Sequence, residues 1–155
     1  MVGEFADKLR SVGRMDLLDG ITQKSMEYFA LNSQETNSSK AYKQLSYQSR
    51  LQHGQALAAK AEVAYSRGKN KEAVTAFSDS QAILKILYDE NQANPDIELL
   101  KLLGANAFWI GQISLNDQDN DKALQQLQLY RDYSIRMNQI APDSSDAWIE
   151  LSYAY

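Results

Sequence analysis

A pattern of apolar and small residues occurs twice in this chain of 155 residues, at a separation of 50 positions. Successive members of the pattern are 4, 3, 4 and 3 positions apart, which is the spacing of one stripe along an α-helix. The two copies are Ala73, Phe77, Ser80, Leu84 and Leu87, and Ala123, Leu127, Tyr130, Ser134 and Met137. The repetition predicts two equivalent helices that pack in the same way.

Proline and turn-forming residues delimit these helices. Pro95 follows the first striped segment and Pro142 follows the second, and proline cannot continue a helix but suits the first turn of the next one. Short polar residues at 66–70 and 116–120 precede the two segments and favour turns. Helices are therefore predicted at roughly 38–67, 70–92, 96–115, 120–140 and 144–155.

The front of the chain has a less regular pattern. Residues 5–9 and 15–31 show helical apolar spacing and predict one short and one long helix. We expect residues 1–37 to form a helical segment that caps the repeats, and residues 38–155 to form the repeats. The helix that begins near residue 38 is expected to kink at Gly54, because glycine weakens a helix interior.

Composition limits the chemistry of the chain. Cysteine is absent and His53 is the only histidine, which excludes a cysteine nucleophile, a structural zinc cluster and a histidine-centred triad. The remaining carboxylates, Ser, Tyr and Lys form no spaced catalytic motif, so no catalytic residue and no cofactor are expected. A formal charge of −4 with interspersed signs supplies no basic stripe for nucleic acid. No apolar run approaches the roughly 18 residues of a membrane span, which predicts a soluble chain without membrane contact.

The turn at 116–120 imitates the start of a calcium loop through Asp117, Asp119 and Asp121. The imitation is incomplete because Lys122 stands where such a loop needs glycine and Gln128 where it needs glutamate. The favoured interpretation is a solvated turn whose acidic residues stabilise the N-terminus of the next helix, and no metal site is expected.

Three groups of residues carry a resemblance to the tetratricopeptide repeat (TPR) family. Residues 148–155 spell W-x2-L-S-x2-Y, which is similar to the opening of a TPR unit with serine at its glycine position. Ala73 and Phe77 followed by Pro95 resemble the later half of the unit, and Gly111 with Ala123 and Leu127 supplies the same positions again. Residues 38–155 would then hold about two units and the first helix of a third, so the chain is expected to be a piece of a longer protein.

The resemblance implies an all-α fold in which antiparallel helix pairs stack into a right-handed superhelix with a concave binding face. The units are longer than the usual ones of about 34 residues, and in this they resemble TPR-like units of large bacterial regulatory proteins. Residues 5–18 are similar to the stretch before the repeats in multidomain bacterial signalling proteins. The expected location is therefore the cytoplasm or the extracytoplasmic part of a membrane-anchored regulator.

In the TPR register, the first helix of each unit turns a set of side chains toward the concave face. The members of this predicted binding face are Gln55, Ala58, Glu62, Tyr65, Ala105, Phe108, Gln112, Leu115, Ile149 and Tyr153. The mixed polar and aromatic character suits a peptide or helix laid into a groove. The alternative for Phe108 and Leu115 is ordinary core packing, because a stripe at helical spacing is usually buried.

These patterns predict a non-enzymatic scaffold that binds a protein or peptide segment through its concave face. The alternative is a structural module that associates with itself or acts as a spacer and has no separate ligand. In the last helix, Trp148, Leu151 and Tyr155 lack a covering partner, so a homodimer through that helix is also expected.

Overall fold

A computed structural model of the chain describes Lys24 and residues 47–155, and these are all-helical apart from short connections. Residues 47–155 form five helices in chain order. Their bounds are α1 Tyr47–Ser66, α2 Asn70–Glu90, α3 Ile97–Asn116, α4 Asn120–Ile140 and α5 Ser145–Tyr153. The predicted all-α class is therefore confirmed for this part of the chain. The two predicted helices before residue 38, and the expected boundary at residue 37, lie outside the described residues.

Helix ends agree closely with the sequence prediction because the capping residues are local. Both ends of α4 lie where they are predicted, and Asp96 and Ser144 are the N-caps of α3 and α5, with side-chain oxygens that accept hydrogen bonds from Glu98 N and Ala147 N. The second helix ends at Glu90 rather than 92. Asn91 explains the earlier end, since its amide nitrogen donates to Leu87 O at 2.8 Å and satisfies a carbonyl of the last turn.

The chain divides into two compact units, Met1–Ile83 and Leu84–Tyr155. In the first unit, α1 and the beginning of α2 form an antiparallel helical hairpin. The fully buried hydroxyl of Ser80 donates to Gly54 O at 2.7 Å, across the two helices. Helix α1 continues through Gly54, where the sequence predicts a kink. Because glycine has no side chain, the Ser80 hydroxyl can approach the α1 backbone at this position.

In the second unit, α3 and α4 form a hairpin of the same construction. Gly104 occupies the position equivalent to Gly54, and a Cβ atom there would lie 3.5 Å from the Tyr130 ring. Gly111 is approached more closely, because a Cβ atom on it would lie 2.9 Å from Cγ of Leu127. Both glycines therefore mark places where α4 packs tightly against α3.

The predicted stripes form the packed faces of α2 and α4. All five stripe residues of α2 are buried, and so are four of the five in α4, where Leu127 is half-buried. Helix α3 supplies much of the remaining core of the second unit. Six apolar residues of α3 are almost fully buried: Leu99, Leu100, Leu103, Ala107, Ile110 and Ile113.

The turns within the two hairpins, which join α1 to α2 and α3 to α4, have the same backbone hydrogen bonds, displaced by 50 positions. In the first turn, Gly68 N donates to Tyr65 O and Lys69 N donates to Ala64 O. In the second turn, Gln118 N donates to Leu115 O, and Asp119 N donates to Ser114 O. This pairing is the Schellman motif, which needs a left-handed residue after the helix, and Gly68 and Gln118 take that role with φ of 72° and 63°.

Exposed charges on the two turns have opposite signs. The first turn carries Arg67 and Lys69 where the second carries Asp117 and Asp119. The backbone geometry of the turn therefore forms with either kind of side chain. Within the described part of the chain, none of the helices combines the length and the hydropathy needed to cross a bilayer.

Candidate binding face

The predicted binding face begins on α1. Gln55, Glu62 and Tyr65 are half-buried, and each already takes part in an interaction within the chain. Ala58 is buried, with 7% of its surface exposed, and therefore offers little surface to a ligand. The α1 part of the predicted face thus consists mainly of three half-buried polar or aromatic side chains.

The α3 part of the face is more open. Leu115 is 48% exposed, which excludes core packing as the explanation for this residue. Phe108 is half-buried, and its ring centroid lies 5.4 Å from those of both Tyr130 and Trp109, so it is partly packed and partly accessible. Ala105 is exposed and Gln112 is half-buried beside them along the helix.

The α5 part exposes two large side chains. Ile149 is 50% exposed and Tyr153 is 76% exposed. Helix α5 is short, yet its position is fixed by polar contacts to both helices of the preceding hairpin. Those contacts determine how Ile149 and Tyr153 are presented.

The first contact joins α5 to α4 through Tyr130. The Tyr130 hydroxyl donates to Oε2 of Glu150 at 2.8 Å and also approaches Glu150 O at 3.3 Å. Burial raises the pKa of the Tyr130 hydroxyl, and the hydrogen bond to Glu150 and the Tyr153 hydroxyl raise it further, so the hydroxyl stays protonated and continues to donate. Tyr130 therefore joins Phe108 on α3, a member of the predicted face, to Glu150 on α5.

The second contact joins α5 to α3. Nζ of Lys101 lies 2.7 Å from Oδ2 of Asp146, and both side chains are about half exposed. The hydrogen bond from Lys101 and its positive charge lower the pKa of the Asp146 carboxyl. An exposed ion pair contributes little to stability, so its main effect is on the orientation of α5 beside the N-terminal half of α3.

Sequence reasoning does not identify these positioning residues. Tyr130 is predicted as a member of the α4 stripe, but Glu150 lies 20 positions away, and Lys101 and Asp146 are separated by 45 positions. Neither separation has a local signal, because the partners meet only when three helices are assembled. Of the residues beside Tyr130, Phe108 is a member of the predicted binding face, and its ring centroid lies 5.4 Å from that of Tyr130.

The acidic turn and the histidine do not enlarge the site. Asp119 accepts a hydrogen bond from Lys122 N at 3.3 Å and so caps α4, as the sequence predicts. No set of three carboxylate or imidazole side chains within residues 47–155 is arranged to hold a metal ion. His53 is half-buried in α1, and burial lowers the pKa of its imidazole below 6.5.

A scan of protein-family models and searches of curated proteins and of solved structures found no match to this chain.

Proposed function

We propose that this chain is a non-enzymatic scaffold of the tetratricopeptide-repeat type, which binds a peptide or protein segment along the first helices of its pairs. The observation that carries the proposal is the exposure of Leu115, Ile149 and Tyr153 on α3 and α5. Contiguous apolar surface bordered by polar side chains is typical of protein-binding sites. Phe108 also supports the proposal, since it is half-buried and its ring packs against Tyr130, whose hydroxyl binds Glu150 on α5.

Two hairpins with the same turn and with a glycine at the same position of the helix contact support the further proposal that the pairs stack as a right-handed superhelix. In that arrangement the first helices line the concave side, and the residues on α1, from Gln55 to Tyr65, extend the face formed by α3 and α5. The side chains on this face are suited to a peptide that contributes apolar anchors and main-chain hydrogen bonds. The parent protein in this proposal is a larger bacterial regulator or sensor.

A displayed library of random peptides tests the proposal. Peptides selected on the natural chain should compete with one another for one site. Their affinity should fall by at least about tenfold when both Ile149→Ser and Tyr153→Ser are present, because exposed anchors at an interface centre contribute roughly 1–2 kcal/mol each. Leu124→Ser is the matched control, since Leu124 is an exposed leucine on α4, outside the predicted face.

A second pair of substitutions tests the polar part of the face. Glu62→Lys with Gln112→Ala should weaken the selected peptides by more than any loss of folding explains. Circular dichroism melting of the same variant is measured beside the affinity, because Glu62 also takes part in an interaction within the chain. Peptides that bind all of these variants as well as they bind the natural chain would contradict the proposal.

Self-association is the second candidate function, and the exposed rings of Trp148 and Tyr155 favour it. They are 56% and 88% exposed on or directly after α5. A large exposed aromatic surface can bind a second copy of itself in a two-fold dimer. Light scattering over a concentration series separates the two functions, because a dimer that Trp148→Ser abolishes would support self-association and a monomer at high concentration would contradict it.

A further inference from the structure

The side chain of Tyr130 on α4 meets α3 with its ring and α5 with its hydroxyl. Its ring is 6% exposed and lies against Gly104, and its centroid is 5.4 Å from that of Phe108 at a tilt of 60°. Its hydroxyl donates to Oε2 of Glu150 at 2.8 Å. Tyr130 therefore connects a packed ring inside the second hairpin to a hydrogen bond outside it.

The first hairpin has no such connection at the equivalent positions. Ser80 stands 50 residues before Tyr130, and its hydroxyl donates to Gly54 O within its own hairpin. Ala58 stands 50 residues before Phe108 and is buried. The two aromatic residues of the second hairpin thus replace a contact that ends inside the hairpin by one that reaches the next helix.

Phe108 is the accessible end of this connection. It is half-buried on α3 and belongs to the predicted binding face, so a ligand on that face would meet its ring. The ring is flanked by Tyr130 on α4 and by Trp109, with a centroid distance of 5.4 Å to each. Because packed side chains leave little free volume between them, a change in the position of the Phe108 ring is passed to its neighbours.

Glu150 is the other end, on a helix with a small apolar attachment. Of the nine residues of α5, all of which the structure describes, Ala147 alone is buried. The strength of a hydrogen bond falls steeply as its distance and angle depart from the optimum. A small displacement of the Tyr130 ring should therefore alter how firmly α5 is held.

We propose that Phe108, Tyr130 and Glu150 form a relay that couples a ligand on the α3 part of the predicted binding face to the attachment of α5. A ligand that holds the Phe108 ring against Tyr130 strengthens the hydrogen bond to Glu150 and so stabilises α5. Since coupling between two sites is reciprocal, a firmly attached α5 also raises the affinity for that ligand. The relay rests on the proposed function, because its input is a ligand at Phe108, and it adds a conformational response to binding.

A double-mutant cycle tests the relay without a ligand. Phe108→Ala should speed the amide exchange of residues 148–153 by about threefold or more, since Tyr130 loses the ring that supports it. In a Tyr130→Phe background the same change should have little effect on α5, because the hydroxyl that reaches α5 is missing, whereas its effect on the buried amides of α4 should be the same in both backgrounds.

Two further variants serve as controls for the cycle. Leu115→Ala changes another member of the predicted face, seven residues along α3 from Phe108, and should leave the exchange of α5 unchanged. If Phe108→Ala unfolds the hairpin, Phe108→Leu keeps most of the apolar volume and permits the same cycle.

Peptides selected on the natural chain then supply the input. A peptide that loses affinity after Phe108→Ala should slow the exchange of α5 by about fivefold or more at saturation. Tyr130→Phe should remove most of this slowing. A direct contact between the peptide and α5 would persist in Tyr130→Phe, so the difference between the two chains isolates the relay.

The outcomes separate the relay from the proposed function. Equal effects of Phe108→Ala on α5 in the two backgrounds would overturn the relay. Selected peptides would overturn it too if none depends on Phe108, or if they slow α5 equally with and without the Tyr130 hydroxyl. These results leave peptide binding itself in place. A library that yields no ligand would instead contradict the proposed function and remove the input of the relay, while the cycle still reports whether Phe108 and α5 are linked.

Discussion

Gly68 and Gln118 occupy the same position in two identical turns, and both have a left-handed backbone conformation. Glycine adopts this conformation without steric cost, whereas a side chain at Cβ crowds the following carbonyl oxygen. The second hairpin therefore closes with a residue that is strained in its place, and the first hairpin shows which residue would relieve the strain.

Replacement of the strained residue should stabilise the second unit. Gln118→Gly should raise the free energy of unfolding by about 0.5–1 kcal/mol, since relief of the left-handed strain exceeds the entropy cost of a flexible glycine. Gly68→Gln, the reverse change in the first turn, should lower it by a similar amount. Urea denaturation followed by circular dichroism measures both, and a lower midpoint for Gln118→Gly would contradict the assignment of the turn.

The two glycines of α3 should respond oppositely to alanine. Gly111→Ala places a methyl group 2.9 Å from Cγ of Leu127 and should destabilise the chain by about 1–2 kcal/mol, even after the gain in helix propensity. Gly104→Ala meets the Tyr130 ring only at 3.5 Å and should be neutral or stabilising by up to about 1 kcal/mol. Adding Leu127→Ala to Gly111→Ala should recover part of the loss, and strict additivity of the two changes would argue against this contact.

The hydroxyl of Tyr130 should control the docking of α5. Tyr130→Phe removes the donor to Glu150 and should weaken the attachment of α5 by about 1 kcal/mol, which corresponds to roughly fivefold faster amide exchange in that helix. Tyr133→Phe is the matched control, because the Tyr133 hydroxyl makes no hydrogen bond within residues 47–155 while its ring packs edge-on against Tyr88 at 5.8 Å. Equal exchange rates in the two variants would show that the hydrogen bond does not hold α5.

The single histidine allows a direct titration. Burial lowers the pKa of His53 below 6.5, so the unfolded chain binds a proton more readily than the folded chain. The contribution of His53 to stability is therefore fully present above pH 6.5, and it is lost as the pH falls from 6.5 through the lower pKa that His53 has in the folded chain. In NMR spectra of the folded chain, the Cε1 proton of the imidazole should titrate with a pKa below 6.5. In the chain unfolded by urea, the same proton should titrate with a pKa of about 6.5. His53→Gln should remove this part of the pH dependence, and a folded pKa above 6.5 would exclude the buried placement.

Local rules account for how well the sequence predicts the helices. The bounds of α4 follow from Asn120, Asp119 and Pro142, whose effects on the backbone need no tertiary context. The left-handed Gln118 could not be predicted, because the residue itself has no preference for that conformation and only the hairpin closure imposes it. The close approach of Ser80 to Gly54 could not be predicted either, since it depends on the exact offset of two packed helices.

The candidate site was predictable only in part. The predicted binding face includes Leu115, Ile149 and Tyr153, and all three are exposed. Ala58 belongs to the same predicted face and is buried, because exposure depends on what packs beside each helix and not on helical phase alone. Whether the α1 residues share a surface with those of α3 and α5 remains a prediction of the stacked arrangement.

The contacts at Gly54 and Gly104 have a consequence for the assembly of a repetitive chain. Helices with the same stripe could in principle pair with the wrong neighbour, which is a recurrent source of misassembly in repeat proteins. Here Ser80 faces one glycine and the far bulkier Tyr130 faces the other. An exchange of α2 and α4 would require a phenol ring where a hydroxymethyl group fits, so side-chain size supplies each hairpin with its own identity and keeps two near-copies from substituting for each other.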